Sequence, residues 1–425
     1  MSVTQKARGL VGRSFPVEIL TIGDELLLGF TVDTNGAYLA RQLATIGLLV
    51  SRRTSVGDDP GQIRNAVKEA LDRSGALITT GGLGPTADDN SKAAVAEVFG
   101  RELVIDEDHV TWMRNRWRIR FGREMPESNM AQAALPRGAT KLVNNHGSAP
   151  GVFVEDDRGR WVAMLPGVPR EMRGMTDDVL VPLLTKRIST DTVIRSRTLR
   201  TTGVAESLLG DQLKSVQLAD EMSLAYLPSA EGVDLRLTVA TQPATNRDAF
   251  ESAVTTVRAI VGDAIYGEDE DDLASVVLDR CRSKQLTIAV AESCTGGLLG
   301  ARLTAIAGSS DVVLGGVIAY HNDAKRTMLG VSDEDLWSSG AVSEPVVVQM
   351  AAGAAQRFGS KIALAITGIA GPSGGTTDKP VGTVWIGISY EGAVETRRFN
   401  MIGDRDEIRR RSAQAALDML RRRLF

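Results

Sequence analysis

The sequence predicts an α/β protein: two separate α/β sandwich domains joined by a small α+β unit. Three observations carry that expectation. Short apolar strands alternate with amphipathic helical stretches between residues 16 and 185. The same alternation returns after residue 272. In both stretches a glycine-rich segment follows an apolar strand directly, and ligands in such sheets sit at the carboxyl ends of strands. The expected boundaries are a lead-in over 1–15, a first α/β domain over 16–187, a small unit over 190–265 and a second α/β domain over 272–425.

The first domain opens with an apolar strand at 17–22. A helix is expected over 34–46, with Leu39, Leu43 and Ile46 on one face. A strand at 48–56, a helix at 60–72 and a buried strand at 76–80 follow. The glycine loop comes next, then a helix over 88–99. Repeated strand–helix–strand units imply a parallel sheet with helices on both faces. The middle region reads as strands at 194–201, 222–227 and 233–241, with helices at 205–216 and 247–261. It holds no cluster of catalytic residue types, which favours a spacer or dimerisation role. The acidic stretch 266–272 reads as a linker.

The last domain is expected to run helix 273–283, strand 287–291, helix 295–305 and strand 312–320. A short helix should start at Asp323. Ser343 is placed to cap a helix that ends at Phe358, with Pro345 in its first turn. Strands at 361–367, 383–390 and 393–401 precede a closing helix over 404–424.

Composition narrows the function classes. Hydrophobic residues make up 43% and charged residues 24%, enough apolar material for a core in each domain. The net charge of −4 gives no basic surface for non-specific nucleic-acid binding. Two cysteines, Cys281 and Cys294, exclude a disulfide framework and a four-cysteine zinc site. A metal, where one binds, is therefore expected as a hard cation on carboxylates. No apolar run reaches the ~18 residues of a membrane span, and the N-terminus lacks the apolar core of a signal peptide. A cytoplasmic protein is expected, with neither nucleic acid nor membrane as partner.

The first candidate site gathers around Gly81, Gly82, Gly84 and Thr86, between a strand and a helix. Glycines allow a sharp turn and close approach, and exposed amides at a helix start favour a phosphate. The spacing is neither that of a Walker loop nor that of a dinucleotide fingerprint. Asp88 and Asp89 follow the loop, and Asp24 and Glu25 end the first strand. Carboxylates beside a phosphate cradle call for a divalent cation between them. The competing explanation is that Asp88 and Asp89 only complement the helix dipole.

The second candidate site is Ala291-Glu292-Ser293-Cys294-Thr295-Gly296-Gly297, a strand end that opens a helix. A serine there presents its hydroxyl, and helix-start amides could serve as an oxyanion hole. A plain helix cap is the competing role for Ser293. Lys325 follows another strand end, with Tyr320 before it to relay a proton or orient the lysine. A buried lysine can act as base in place of histidine; a solvated surface lysine is the alternative. Thr367, Gly368, Gly371, Gly375 and Thr376 form a dense loop suited to wrapping a ligand, and Arg405 or Arg409 could meet its phosphate. Cys294, lowered in pKa by a helix start, is an alternative nucleophile.

Long ordered motifs now carry a resemblance. They are Gly23–Leu27, Asp33-Thr34-Asn35, Val56–Asp59, Thr80–Asp89, Asn129 with Gln132, Asn144–Gly151 and Leu165–Met172. Together they resemble the N-terminal domain of the CinA family, which is similar to the molybdopterin-binding fold. Position 148 is Ser where Thr is more usual. That resemblance implies hydrolysis of ADP-ribose to AMP and ribose 5-phosphate with a divalent metal. It places Asn129 and Gly147 with the loop as nucleotide-binding residues, and Asp24, Glu25, Asp88 and Asp89 on the metal side. A pterin-like ligand stays open.

Residues 291–297, 319–320 with 322–325, 367–372 and 379–383 resemble the CinA C-terminal domain. It implies deamidation of nicotinamide mononucleotide (NMN) without a cofactor, with Ser293 as nucleophile, Lys325 as base, and Tyr320 and Thr367 in the site. Thr295, Gly296, Gly297, Gly368, Gly371, Gly375, Thr376 and Arg405 are expected to bind substrate. Between the two, the family carries a KH-like module, but Thr202-Gly203-Val204-Ala205 lacks the second glycine of an RNA-binding Gly-x-x-Gly loop. A homodimer is expected from the resemblance. The alternative for the whole chain is a non-catalytic nucleotide- or pterin-binding, competence-related interaction protein.

Overall fold

The computed structural model describes residues 16–86, 88–187, 193–241 and 247–425. The expected lead-in over 1–15 lies outside the described residues. The chain forms two compact units. The first ends at Arg195; the second runs from Ser196 to Phe425, apart from short pieces of the middle region grouped with the first.

The strands of the first unit are β1 (Pro16–Ile22), β2 (Leu49–Val56), β3 (Ala76–Thr80), β4 (Leu103–Ile105), β5 (Ala134–Pro136), β6 (Thr140–Leu142), β7 (Gly151–Glu155) and β8 (Trp161–Leu165). Six of them make one sheet in the order β2-β1-β3-β8-β7-β6, and β4 pairs with β5 apart. Side chains of β1 alternate between two cores, as a strand's period of two requires. Val17 and Ile19 pack with Leu39 and Leu43 of the helix Thr34–Thr45. Leu20 and Ile22 pack with Ile63 and Val67 of the helix Pro60–Ser74. Asp59 caps that second helix through the Gln62 amide, Pro60 sits in its first turn, and left-handed Gly75 ends it.

The sheet is mixed, which corrects the all-parallel expectation. β1, β2, β3 and β8 are parallel, but β7 runs antiparallel to β8 and to β6. The reason is local. The Asp156 carboxylate accepts from the amides of Arg158 and Arg160, closing a tight turn between β7 and β8. A parallel crossover needs about a dozen residues, more than this turn supplies.

The middle region carries β9 (Val193–Thr201), β10 (Met222–Pro228), β11 (Val233–Thr241) and β12 (Ile265–Glu268), in the order β10-β11-β9-β12. β12 corrects the linker expected at 266–272. It pairs antiparallel with β9 and buries Tyr266. A four-residue edge strand gives too short a pattern to separate from a polar linker.

The last region is a five-stranded sheet: β13 (Ile288–Glu292), β14 (Val313–Ile318), β15 (Ile362–Gly368), β16 (Thr383–Tyr390) and β17 (Ala393–Asn400), ordered β14-β13-β15-β16-β17. β13 is parallel to both its neighbours, so three strand ends open on one edge. β16 and β17 return antiparallel. Ile288 and Val290 face the helices Leu273–Ser283 and Arg405–Leu424, while Ala289 and Ala291 face the helix Glu344–Phe358. Asp404 and Glu407 close a reciprocal capping box on the last helix. Ser343 stands at the cap position of Glu344–Phe358, but its hydroxyl goes to the Gly340 carbonyl instead. Among the described residues, no helix is long and apolar enough to cross a membrane.

Candidate active sites

The second unit places Ser293 directly after β13, where its amide is held by the Ile366 carbonyl at 2.9 Å. Lys325 enters from the helix Asn322–Leu329 and is 1% exposed. Its Nζ lies 3.1 Å from Ser293 Oγ, 2.9 Å from the Ala319 carbonyl and 3.2 Å from the Tyr320 carbonyl. Burial holds the Lys325 pKa below the ordinary lysine value. Cys294 is the one neighbour that opposes this, and burial pushes its own thiol up to about 12. It therefore stays an uncharged thiol near neutrality and gives the ammonium no counter-charge. The same shift corrects the expectation of an activated Cys294.

A cavity of about 340 Å³ opens over this pair. Ser293, Cys294, Tyr320, Lys325, Thr367, Gly368, Gly371 and Arg405 line it. Thr295, Gly296, Gly297, Gly375 and Thr376 do not. Thr295 is fully buried with its hydroxyl unpaired, and Thr376 accepts the Lys379 amide within its own turn. The Tyr320 hydroxyl accepts from Arg405 at 2.9 Å, so it is this residue's carbonyl, not its phenol, that holds the lysine. Arg405 also donates to the Gly371 carbonyl at 2.6 Å, joining the strand end at Tyr320 to the glycine loop. Arg409 goes to the Thr295 carbonyl, away from the cavity lining. The Thr367 hydroxyl donates to the Ala341 carbonyl at 2.8 Å.

Glu292 was missed as a functional position. Its buried carboxylate accepts from the amides of Gly297, Leu299 and Gly300 at 2.7–3.0 Å. The helix consequently begins only at Leu298, three residues later than expected. Its first amides are thus spent, and they cannot serve as the oxyanion hole. Cys294, next to the nucleophile, lines the cavity, and among the described residues its amide has no backbone acceptor. A carboxylate just before a glycine-rich helix start was the signal.

In the first unit the loop folds back on itself. Gly81 has φ +112°, and a Cβ there would lie 2.1 Å from the Ile22 carbonyl oxygen. Only glycine lets the loop pass the end of β1 so closely. The Asp89 carboxylate accepts from the Gly84 amide at 2.7 Å, the Thr86 amide at 2.8 Å and the Thr86 hydroxyl at 2.5 Å. Two amides expected to cradle a phosphate are therefore satisfied by Asp89. Asp88 and Asp89 also precede the helix, which starts at Ser91. Lys92 in its first turn is buried and donates to the carbonyls of Ala131 and Gln132. Burial lowers its pKa to about 8.

Asp24 opens the short helix Asp24–Leu27 rather than ending β1. Its amide bonds the Asp58 carboxylate at 3.0 Å, and the Asp58 amide returns the bond to Asp24 at 3.1 Å. Burial, then the charges of Asp24, Glu25 and Asp88, raise the Asp58 pKa. Asp58 joined the group because β2 pairs with β1 in register, Ile22 beside Val56. Asn129 and Gly147 lie elsewhere, on a second cavity of about 390 Å³. A Cβ on Gly147 would fall 1.8 Å from the Glu171 carboxylate, so the backbone runs tight against it.

Known proteins bear on both units. A protein named "CinA-like protein" from Gemmatimonas aurantiaca is 56% identical over 409 residues, covering 96% of each chain. The chain belongs to the CinA family. A "CinA-like protein" of Salinibacter ruber is 41% identical over 96% of this chain and 99% of its own. A "Putative competence-damage inducible protein" of Moorella thermoacetica is 43% identical over 96% of this chain and 98% of its own. Three family descriptions match in order: "Probable molybdopterin binding domain" over 18–186, "Damage-inducible protein CinA KH domain" over 196–267, and "CinA C-terminal domain" over 270–424. The α/β class with a KH-like middle unit is thus that of a CinA chain.

A divalent ion is the group the family resemblance implies. Among the described residues, no three or more His, Cys, Asp or Glu side chains form a ready cage. The donor chemistry still fits in part. Asp24 and Asp58 are hard oxygen donors held against one another, and Asp58 is raised by its like-charged neighbours. A small hard cation needs only one or two carboxylates when substrate phosphates and water complete its shell. Asp89, spent on the loop amides, does not belong to that set.

Proposed function

We propose that the second unit is a serine–lysine amidohydrolase acting on NMN. The supporting observation is the buried Lys325 Nζ at 3.1 Å from Ser293 Oγ. The neutral form of a lysine whose pKa burial lowers can take the Ser293 proton as Oγ attacks the carboxamide carbon. The developing oxyanion falls to the Cys294 backbone amide. Lys325, now an ammonium, returns the proton to the departing ammonia. Water then enters, Lys325 takes one of its protons, and nicotinate mononucleotide leaves as Ser293 recovers its hydrogen. Arg405, on the cavity wall, keeps free donors for the nucleotide phosphate. No cofactor takes part. The test is ammonia release from NMN by the purified chain: turnover is expected with the native protein and none with Ser293→Ala. Equal release by both would remove the reading.

For the first unit we propose hydrolysis of the ADP-ribose pyrophosphate to AMP and ribose 5-phosphate. The repelling carboxylates around Asp58 support it, because a cation shared with the pyrophosphate relieves that repulsion. Asp24 and Asp58 would hold the ion, which supplies charge neutralisation at the phosphates. Gly81 and Gly82 shape the loop against which the phosphates lie. AMP formation from ADP-ribose with and without added Mg²⁺ tests it. Turnover that ignores the ion would defeat the carboxylate argument. We also propose a cytoplasmic homodimer, on the strength of the family.

A further inference from the structure

We propose that Lys379, which stands outside the cavity over Ser293, is a positioning residue that ties two walls of that cavity together and so sets the slot for the flat pyridine ring of the substrate. The inference deepens the NMN reading and rests on it for the identity of the ring.

One wall is the segment that leaves the helix Asp333–Ser338. Ala341 and Val342 line the cavity. Gly340 has φ +75°, a left-handed turn that glycine makes without strain, and it swings the chain from the helix into the wall. Three successive carbonyls of the segment are taken by side-chain donors. Lys379 Nζ donates to Ser339 at 2.7 Å, the Ser343 hydroxyl to Gly340 at 2.7 Å and the Thr367 hydroxyl to Ala341 at 2.8 Å. With the carbonyls turned to those donors, the segment offers the cavity the small apolar surface of Ala341 and Val342. Thr367 follows Ile366, whose carbonyl holds the Ser293 amide at 2.9 Å. The wall is therefore fixed within one residue of the nucleophile's own support. That is where the ring bearing the carboxamide has to lie, because Ser293 attacks the carbon joined to it.

The other wall is the glycine loop, which gives Gly371, Ser373 and Gly374 to the lining. The backbone of Lys379 belongs to the turn behind this loop. Its amide donates to the Thr376 hydroxyl at 3.1 Å, and the Thr376 amide donates to its carbonyl at 2.9 Å. The turn is pressed against the loop: a Cβ on Gly371 would lie 2.7 Å from Val381 Cγ1, and one on Gly375 would lie 2.8 Å from the Val381 amide nitrogen. Lys379 is half-buried, with its main chain on one wall and its ammonium on the other. Ser339, its acceptor, is the C-cap of the helix Asp333–Ser338, an end that favours a cation. A single side-chain bond thus sets how far the loop stands from the small surface of Ala341 and Val342. A narrow apolar gap of that kind fits a flat ring, while the phosphate end is left to Arg405.

The test is steady-state ammonia release by the full chain over a range of NMN concentrations, for the native protein and for Lys379→Met, Lys379→Arg and Ala341→Leu. Lys379→Met keeps the reach of the side chain and loses the charged donor. Its KM should rise about tenfold, the size of one lost charge-assisted hydrogen bond. Its kcat should stay within about twofold, because Ser293 and Lys325 keep their own partners. Lys379→Arg still donates and should stay within about threefold of the native KM. Ala341→Leu fills the slot directly and should raise KM about tenfold or more. A chain that is merely less stable loses active molecules, so its kcat falls and its KM stays. That pattern in Lys379→Met overturns the proposal. So does a native KM in Lys379→Met or in Ala341→Leu. No ammonia from the native chain removes the amidase reading and the slot with it. Native turnover together with an unchanged KM in Lys379→Met removes the slot alone and leaves the amidase reading standing.

Discussion

The two candidate sites arrange their reacting groups in opposite ways. Around Ser293 the reacting groups already touch: Lys325 Nζ meets the hydroxyl, and its remaining acceptors are neutral carbonyls that hold it in place. Around Gly81 the groups are spent on each other. Asp89 satisfies the loop amides, while Asp24 and Asp58 exchange backbone bonds with like charges close by. Acyl transfer needs a nucleophile and a base in contact, and the fold can supply both. Pyrophosphate cleavage, as proposed for this unit, needs charge neutralisation, which carboxylates provide only through a cation they hold.

That contrast can be broken by experiment. Ser293→Ala should lower NMN turnover by ~10⁴ or more, as for nucleophiles that act as a unit with their base, and leave ADP-ribose turnover unchanged. Removing divalent ions with a chelator should do the reverse: AMP formation drops by about 10³ and ammonia release persists. If chelation stops both, the sites are not independent in the way described.

Lys325→Ala should reduce ammonia release by ~10²–10³. Its pH profile sharpens the point. The neutral amine is the active form, and burial lowers its pKa, so the rate should rise with pH and level off below the ordinary lysine value near 10.4. A rate that falls across that range would contradict a lysine base. Glu292→Gln keeps one acceptor oxygen but cannot serve three amides as the carboxylate does. About a tenfold loss in kcat with little change in KM is expected, read from steady-state kinetics. Smallest is Asp89→Ala, which frees the Gly84 and Thr86 amides. Loop order should suffer, and ADP-ribose KM should rise a few-fold, by ~1 kcal/mol of lost capping-type bonds.

What the sequence made legible was local. Strand–helix alternation, the glycine loops and the serine at a strand end depend on neighbours in the chain, and they fall where the patterns put them. The helix after Ser293 was misjudged by three residues because Glu292, not helix propensity, decides where it starts. Asp58 was quoted only as part of a motif, since its meeting with Asp24 depends on β1 and β2 lying side by side. The reversal at β7 depends on a turn built by one aspartate.

The central claim is that Ser293 carries the acyl group. Quenching the native chain during NMN turnover and mapping its peptides by mass tests this most directly. The account predicts a nicotinate mononucleotide acyl adduct on Ser293 that disappears on further incubation and is absent from Ser293→Ala. An adduct on Cys294, or ammonia release from Ser293→Ala at the native rate, would contradict it.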